Sequence, residues 1–206
     1  MTFKIIGFII VVGLVFSGCA VIQQPPAIEV PPSHLASPDT PEIVDGNLET
    51  AGALQTDGFV EKRFAADFQL GKVYVNSREI VGTKRAGALI VLKEPMYISH
   101  IEIYTDSTIT EPIIDVVTEK SKSDAVPFVR IRDRQIGKPI QAGKVQRFRI
   151  GQEILYLRLM TDAIEETSNA ERATVVSKYK TDVTRIPLKG PMIREVKFYE
   201  IPKEPD

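Results

Sequence analysis

Short runs of β-branched and aromatic residues recur along the chain from about residue 43, with turn-forming residues between them. The runs span residues 88–92, 98–104, 113–117, 128–132, 145–150, 154–159 and 193–199. In the fourth run, Val129 and Ile131 alternate with Arg130 and Arg132, which is the period-two pattern of a strand with one buried face. Such a series of short strands with polar turns predicts an all-β fold, an antiparallel β-sandwich or barrel.

Two segments of the chain do not fit this strand pattern. Residues 59–68 carry three phenylalanines at irregular spacing, and we predict a short helix or a loop there. Residues 162–184 are long and polar, and we predict a connecting loop with one helical turn within residues 165–176. Because long connections in a compact domain are usually functional or mobile, the loop 162–184 is a candidate part of a binding site.

The first nineteen residues have the layout of a secretory signal. One cation, Lys4, precedes the apolar run 5–16, and the small residues Ser17 and Gly18 stand before Cys19, the single cysteine of the chain. The apolar run is shorter than the roughly 20 residues that a membrane-spanning helix needs. An uncleaved anchor helix with an incidental cysteine is the alternative interpretation.

Residues 16–19, with the sequence Phe-Ser-Gly-Cys, resemble the lipobox of bacterial lipoproteins. The resemblance implies a signal peptide over residues 1–18, lipid attachment to the thiol of Cys19, and acylation of the new amino group with a fatty acid such as palmitate. Several acyl chains together give stable membrane anchoring. In a host with two membranes, Ala20 after the cysteine resembles the sequences that are exported to the outer membrane.

Residues 19–42 form the next segment, which contains six prolines and few large apolar residues. Proline lacks the N–H that helices and central strands require, so this segment is predicted to be an extended tether between the lipid and the domain. We therefore expect the β-sandwich domain to span residues 43–202, with a short tail at residues 203–206.

The composition narrows the classes of function. With 206 residues, 43% of them hydrophobic, the chain is long enough for one packed domain and is neither a disordered chain nor a multi-span membrane protein. A formal net charge of -1 argues against a general nucleic-acid binder, which needs excess positive charge to neutralise phosphates. One cysteine excludes an intrachain disulfide and a cysteine-cluster metal site.

The near-zero charge conceals a basic central segment. Arg130, Arg132 and Arg134 would project from one face of a strand, and Arg147 and Arg149 from one face of a neighbouring strand. A solvated outer face with acidic partners on adjacent strands is one interpretation. The other is a binding surface for an anionic partner, such as an acidic glycan, a lipid headgroup or an acidic patch on another envelope protein.

Four segments in the same order resemble discoidin-type domains, the coagulation-factor C-type or galactose-binding-like family. These are the Asp-Gly-Asn-containing segment 44–50, the segment 90–104, the Tyr-Leu-Arg-Leu segment 156–159 and the Glu-Val-Lys-Phe-Tyr segment 195–199. The resemblance implies a jelly-roll β-sandwich that often binds glycans through loops at one end. Glu94 replaces the glycine of the family's central turn, and the chain has no tryptophan for sugar stacking. Another β-sandwich family with generic strands is the alternative.

Some members of that family hold a structural calcium ion beside the opening loop. By resemblance, Asp45 and Thr50 would supply oxygen ligands from the loop and Glu195 would approach from the last strand. Oxygen ligands are what this hard cation requires. From the residues alone, the Asp-Gly-Asn sequence also makes a good turn without a metal.

The motifs of nucleophilic, metal-dependent and phosphate-binding enzymes are absent from the sequence. His100 lies among strand residues, where a half-exposed structural role is expected, and the adjacent acids Glu165 and Glu166 resemble a solvated surface. The leading hypothesis is a lipid-anchored, non-catalytic envelope module that binds a glycan, an anionic surface or an envelope protein. A structural accessory subunit of an envelope complex is the second hypothesis, and a hydrolase of envelope polymers is the third.

Overall fold

The computed structural model of the chain describes residues 26–65, 83–118, 128–176 and 180–202. These residues form strands and three short 3-10 helices. The strands are β1 (Ile28–Glu29), β2 (Leu35–Ala36), β3 (Gly52–Ala53), β4 (Gln55–Thr56), β5 (Phe59–Ala65), β6 (Arg85–Thr105), β7 (Ile113–Val117), β8 (Val129–Arg130), β9 (Val145–Asp162), β10 (Ile164–Glu165), β11 (Glu171–Val176), β12 (Lys180–Lys189) and β13 (Met192–Glu200). The 3-10 helices are Pro32–His34, Pro41–Val44 and Thr167–Asn169.

All strand pairs in the described residues are antiparallel, and the prediction of an all-β antiparallel sandwich is confirmed. The larger sheet has the central order β1-β13-β6-β9-β7-β8, with β2 and β4 on β6 and β3 on β13. No described helix is long and apolar enough to cross a membrane.

The centre of the larger sheet is a long pairing between β6 and β9. Each of these strands merges two of the predicted runs, because no turn forms at residues 93–95 or at residues 151–152. The pairing instead has an irregular register between Val91 and Met96. This irregularity divides the pair into two halves with different neighbours, since β13 pairs with the second half of β6 and β7 pairs with the second half of β9.

Both halves of the β6–β9 pair contribute to one cluster of buried apolar side chains. Phe148 and Phe198 are the largest fully buried members, and Ile90 and Leu157 join them from the other half of the pair, together with Ile114 of β7. Strand alternation sends these residues inward, and it sends the polar residues between them to the outer face. The outer face of β13, β6 and β9 carries the candidate site.

A second sheet forms where loops were expected. β5 replaces the helix or loop predicted over residues 59–68 for the part that the structure describes, and β10, β11 and β12 occupy most of the segment 162–184. The order of this sheet is β10-β12-β11, with β5 also paired to β12. Polar residues form strands here because backbone hydrogen bonds on both sides of β12 compensate for the weak apolar signal in the sequence.

The proline-rich segment also differs from the extended tether predicted over residues 19–42. Ile28 pairs with Glu200 and Leu35 pairs with Leu92, so the described part of the segment lies on the sandwich. Val30 and Thr40 are each 2% exposed, which shows that this part belongs to the packed domain. Prolines are accommodated because they lie outside the two-residue strands, two of them at the first turns of 3-10 helices.

Candidate functional site

A polar groove with a cavity volume of about 820 Å³ lies on the outer face of the sheet. Its lining comes from β6, from β9, from the loop after β8 and from the residue after β13. The lining residues are Tyr97, Ser99, His100, Arg132, Asp133, Arg134, Gln135, Gln146, Arg147, Arg149, Gly151 and Ile201. Four arginines and one carboxylate therefore face a single concave surface.

Strand register sets the positions of the side chains on the groove floor. His100 is the register partner of Arg149, and Glu102 is the register partner of Arg147. Phe148 between the two arginines is fully buried, so both arginines project to the outer face by strand alternation. Gly151 follows with a φ of +65°, a conformation that favours glycine, and its carbonyl accepts a hydrogen bond from the Tyr97 hydroxyl at 3.0 Å.

The loop after β8, residues 131–137 (the arginine loop), forms one wall of the groove. Ile131 is buried, and its N–H donates to the carbonyl of Ile114 at 3.0 Å. One oxygen of Asp133 accepts the N–H of Gln135, and the other accepts the N–H of Arg149, both at 2.7 Å. These contacts hold the loop against the edge of β9 and leave Arg132 and Arg134 exposed above the groove.

Three of the four arginines lack a carboxylate partner among the residues that the structure describes. Arg147 donates to Glu102 through Nε at 3.1 Å and through Nη2 at 2.7 Å. By contrast, the side chains of Arg132, Arg134 and Arg149 form no ion pair or hydrogen bond with any other residue that the structure describes. The groove therefore has local positive charge although the chain as a whole is nearly neutral.

Glu102 holds the neighbouring side chains in place. In addition to the bonds from Arg147, it accepts the hydroxyl of Tyr104 at 3.0 Å and the hydroxyl of Tyr199 at 3.2 Å. Burial alone would raise the pKa of Glu102, but the hydrogen bonds from these three side chains outweigh burial and lower it below its usual value. The carboxylate stays charged and fixes the positions of Arg147 and both tyrosines.

His100 lies between this network and the groove. Its ring stacks on Tyr199 with centroids 4.4 Å apart and planes inclined by 7°. Burial and then the charge of Arg147 lower the pKa of His100, although Glu102 raises it. Burial and then the charge of Glu102 raise the pKa of Tyr199 to about 12. Near neutral pH the face therefore carries a neutral imidazole and protonated tyrosines beside the arginines.

The structure brings together four of the five predicted binding arginines, and it separates Arg130 from them. β8 ends at Arg130, so Arg130, Arg132 and Arg134 do not share one strand face as predicted. Arg130 instead donates through Nε to the buried carboxylate of Asp115 at 3.0 Å. Asp115 also accepts Arg158 at 2.9 Å, which satisfies both of its oxygens.

Sequence reasoning missed Tyr97, His100 and Gln135 as groove residues. The alternation around Ile98 and Ile101 does suggest an outward Tyr97. The register shift between Ile98 and His100 is what turns the histidine to the outer face, and the spacing of three between the apolar Ile98 and Ile101 is its signal in the sequence.

The residues of the predicted calcium site lie around one loop. Gly46 donates its N–H to Glu195 at 3.0 Å, and Asp45 accepts the hydroxyl of Thr50 and the N–H of Asn47, both at 2.8 Å. Burial raises the pKa of Glu195 to about 7, against the effect of the Gly46 hydrogen bond and with a further rise from Asp45. No cluster of three or more acidic, histidine or cysteine side chains with metal-binding geometry occurs in the described part of the chain.

The donors near this loop nevertheless have the right chemistry. Asp45, Thr50 and Glu195 would offer only oxygen ligands, which suit calcium, and a buried carboxylate that ordinarily resists ionisation would be stabilised by a cation. Calcium binding at these three residues stays a prediction.

The lipid attachment at Cys19 and the adjacent acids Glu165 and Glu166 are the remaining predictions. Cys19 lies outside the described residues, so lipid attachment stays a prediction. Glu165 forms an ion pair with Lys84, and Glu166 accepts a hydrogen bond from Asn169 at 3.4 Å. The two acids thus have separate partners, Lys84 just before β6 and Asn169 at the end of a 3-10 helix.

The fold and the groove define a β-sandwich with a basic concave face. No family model matches the chain, and no curated protein matches it. Among solved structures, the chain is similar to a fragment of a candidate chitobiase from Bacteroides thetaiotaomicron, with a TM-score of 0.51 and 9% identity, covering 90% of this chain and 99% of that one. This likeness shows the shared sandwich fold.

Two further similar solved structures are carbohydrate-binding modules. The family 32 module of NanJ from Clostridium perfringens, in complex with galactose, has a TM-score of 0.45 and 11% identity, covering 84% of this chain and 99% of that one. The family 32 module of AlyQ, in complex with an unsaturated mannuronic acid, has a TM-score of 0.43 and 10% identity, covering 83% and 97%.

Proposed function

We propose that this chain is a lipid-anchored, non-catalytic binding module of the cell envelope, and that its groove takes a glycan bearing carboxylate, sulfate or phosphate groups. Asp45, Thr50 and Glu195 would hold a structural calcium ion away from the groove. No step of bond making or breaking is assigned to the site.

One observation carries the proposal, the set of guanidinium groups around an open groove that have no partner in the described part of the chain. Arg132, Arg134 and Arg149 make no ion pair with any other described residue, whereas Arg130 and Arg147 are held by Asp115 and Glu102. Exposed arginines whose role is only to keep a surface soluble are usually interspersed with acidic residues. Three arginines on one concave face without acidic partners in the described residues create a local positive potential that attracts an anion. The planar fork of each guanidinium matches the paired oxygens of an oxyanion.

The other groove residues suit a sugar ring. Tyr97 is 40% exposed as a residue, and its ring offers an apolar face to a pyranose. Gln135 and Ser99 add neutral hydrogen-bonding groups of the kind that orient hydroxyls. The combination of cations, one aromatic ring and amides favours an acidic glycan over a simple inorganic ion.

The lipid anchor at Cys19 would place this module at a membrane surface, the outer membrane in a host with two membranes. Mass spectrometry of the mature N-terminus tests this part of the proposal. We expect the first residue to be an acylated Cys19, and an unmodified Cys19 or an intact Met1 would contradict it.

The test of the binding proposal compares two sugars that differ in one group. Oligogalacturonate carries a carboxylate where the matching galactose oligosaccharide carries a hydroxymethyl group. We expect calorimetry to show binding of the acidic oligomer that weakens as salt is added, because salt screens exposed charges, and at least about tenfold weaker binding of the neutral oligomer. Equal affinities for the two oligomers, or no binding of either, would contradict the proposal.

A structural accessory subunit is the second candidate, and the second sheet favours it. Phe59 lies opposite Pro187, and Ile164 lies opposite Lys189, on the same sheet. Phe59 is 51% exposed and Ile164 is 43% exposed. A protein recovered in fixed stoichiometry from solubilised membranes through this surface, with no glycan binding, would favour the subunit.

A further inference from the structure

We propose that the ligand of the groove is a phosphate-bearing sugar headgroup of a lipid in the same membrane that anchors the chain. This inference rests on the proposed function, because it assigns a source and a chemistry to the anionic glycan of the same groove. It follows from where the chain enters the sheet and from the groups that surround that point.

The described chain enters the sandwich beside the groove. Ile28 of β1 pairs with Glu200, and the N–H of Val30 donates to the carbonyl of Phe198 at 2.8 Å. Directly after Glu200, Ile201 lines the groove and donates its N–H to the carbonyl of Tyr97 at 3.2 Å. Because β1 and β13 are antiparallel, the residue before Ile28 lies at the same end of the sheet as Ile201.

The reach of the anchor is short. Nine residues, 19–27, stand between the start of the proposed mature chain and β1, and they span at most about 30 Å when fully extended. The strand order β1-β13-β6-β9 places Arg149 of β9 three strand spacings from β1, about 15 Å away. An anchored chain therefore keeps its arginines close to the headgroups of its own membrane.

The end of the sheet that the anchor enters carries exposed apolar groups as well as cations. Ile28 is 53% exposed and Tyr97 is 40% exposed, and both stand near Ile201. Tyrosine rings favour the boundary between headgroups and acyl chains, and arginines beside them bind anionic headgroups. This end thus combines the two kinds of side chain that an anionic membrane surface attracts.

The arrangement of unpaired donors favours phosphate over carboxylate. Arg132 and Arg134 stand on the arginine loop, and Arg149 stands on the strand below them, so three guanidinium groups approach the groove from two elements. A phosphate monoester has three free oxygens and up to two negative charges, whereas a carboxylate has two oxygens and one charge. A phosphate monoester can therefore accept hydrogen bonds from all three arginines, with one oxygen for each.

The test uses the chain from residue 19 onward with Cys19→Ser, which removes the lipid, and vesicles of phosphatidylcholine. One set of vesicles contains a synthetic glycolipid whose glucose headgroup bears a phosphate monoester, and the other contains the same glycolipid without the phosphate. We expect sedimentation with the phosphorylated vesicles only, and competition by soluble glucose phosphate. Arg132→Ala/Arg134→Ala/Arg149→Ala should weaken this binding by at least about tenfold, while Arg130→Ala should leave it unchanged.

The outcomes separate this inference from the proposed function. Binding of soluble oligogalacturonate or glucose phosphate without binding to vesicles would overturn the lipid source and leave the glycan-binding function standing. No binding of any anion would overturn both. The inference would be overturned if the chain sedimented equally with both vesicle types, or if the triple variant still bound the phosphorylated vesicles. Either result would show that the groove does not recognise the phosphate.

A second measurement tests whether the ligand lies in the same membrane. The lipidated chain is inserted into plain phosphatidylcholine vesicles, and phosphoglycolipid vesicles are then added. Because the short reach of the anchor holds the groove near its own membrane, we expect it to crosslink the two populations only weakly, which slight turbidity would show. When the anchoring vesicles themselves contain the phosphoglycolipid, we expect even this turbidity to be lost, because the groove is already filled. Undiminished turbidity would contradict binding in the same membrane.

Discussion

The carboxylate of Asp133 accepts the backbone N–H of Arg149 across 2.7 Å, and its other oxygen accepts the N–H of Gln135 at the same distance. The first bond caps the free edge of β9, and the second closes the turn of the arginine loop. This single side chain therefore joins the loop that carries Arg132 and Arg134 to the strand that carries Arg149. The shape of the groove depends on it.

Replacing Asp133 tests this connection. Asp133→Ala removes the acceptor of two backbone N–H groups, so we expect a loss of about 1–3 kcal/mol in the free energy of unfolding and weaker binding of oligogalacturonate. Asp133→Asn keeps one acceptor oxygen, so it should retain part of the stability and part of the binding affinity. Chemical denaturation measures the stability and calorimetry measures the affinity. Wild-type stability and affinity in Asp133→Ala would show that contacts other than those of Asp133 hold the loop.

Asp115 and Arg130 give a contrasting pair of substitutions. Asp115 is buried and joined to Arg130 and Arg158, so Asp115→Ala should destabilise the fold by about 2–3 kcal/mol through the loss of two charge-assisted hydrogen bonds. Arg130→Ala removes an exposed partner and should cost less than about 1 kcal/mol. Thermal unfolding compares them. An Arg130→Ala variant less stable than Asp115→Ala would contradict this assignment.

The different positions of Arg130 and the groove arginines show which structural features the sequence could predict. Strand alternation correctly placed Arg147 and Arg149 on one face of their strand, because Phe148 between them is apolar and buried on the other face. The same alternation failed for Arg132 and Arg134, since the chain leaves the sheet after Arg130 to follow the Asp133 contacts. Local polarity encodes which face a residue takes in a strand, but not where the strand ends.

The second sheet and the N-terminal segment show a related limit. Glu171–Val176 and Lys180–Lys189 have weak apolar patterns. The strand over Lys180–Lys189 is stabilised by pairing with β5, which is more than a hundred residues away, and it pairs in turn with the strand over Glu171–Val176. Ile28 likewise forms a strand because β13 offers a free edge. Such pairings depend on the assembled sandwich, so short windows of sequence do not reveal them.

Stability should fall with rising pH because of Glu195. Its pKa is about 7 in the folded chain and about 4.5 when unfolded, so the folded chain holds the proton more tightly. This contribution favours folding fully below the unfolded pKa and is lost as pH rises to 7 and beyond, by about 3 kcal/mol in total. Glu195→Gln should abolish this loss. Denaturation from pH 5 to 8 in chelator measures it, and parallel profiles for the two proteins would contradict the assignment.

Calcium should restore the stability that is lost at high pH if Asp45, Thr50 and Glu195 bind the ion. A cation beside Glu195 favours its charged form, so we expect calcium chloride to raise the melting temperature at pH 8 more than magnesium chloride does. Glu195→Gln should remove the calcium response. An equal response to both salts, or a full response in the variant, would rule out a calcium site there.

The most direct test of the central claim is the affinity of the arginine variants for oligogalacturonate, measured by calorimetry in the same buffer. Arg132→Ala/Arg134→Ala/Arg149→Ala should bind at least about tenfold more weakly than the wild-type chain, since it removes the three groove guanidinium groups that have no partner among the described residues. Arg130→Ala, which removes an arginine held by Asp115 outside the groove, should bind with wild-type affinity. Equal losses in the two variants, or no loss in the triple variant, would contradict an anion-binding groove.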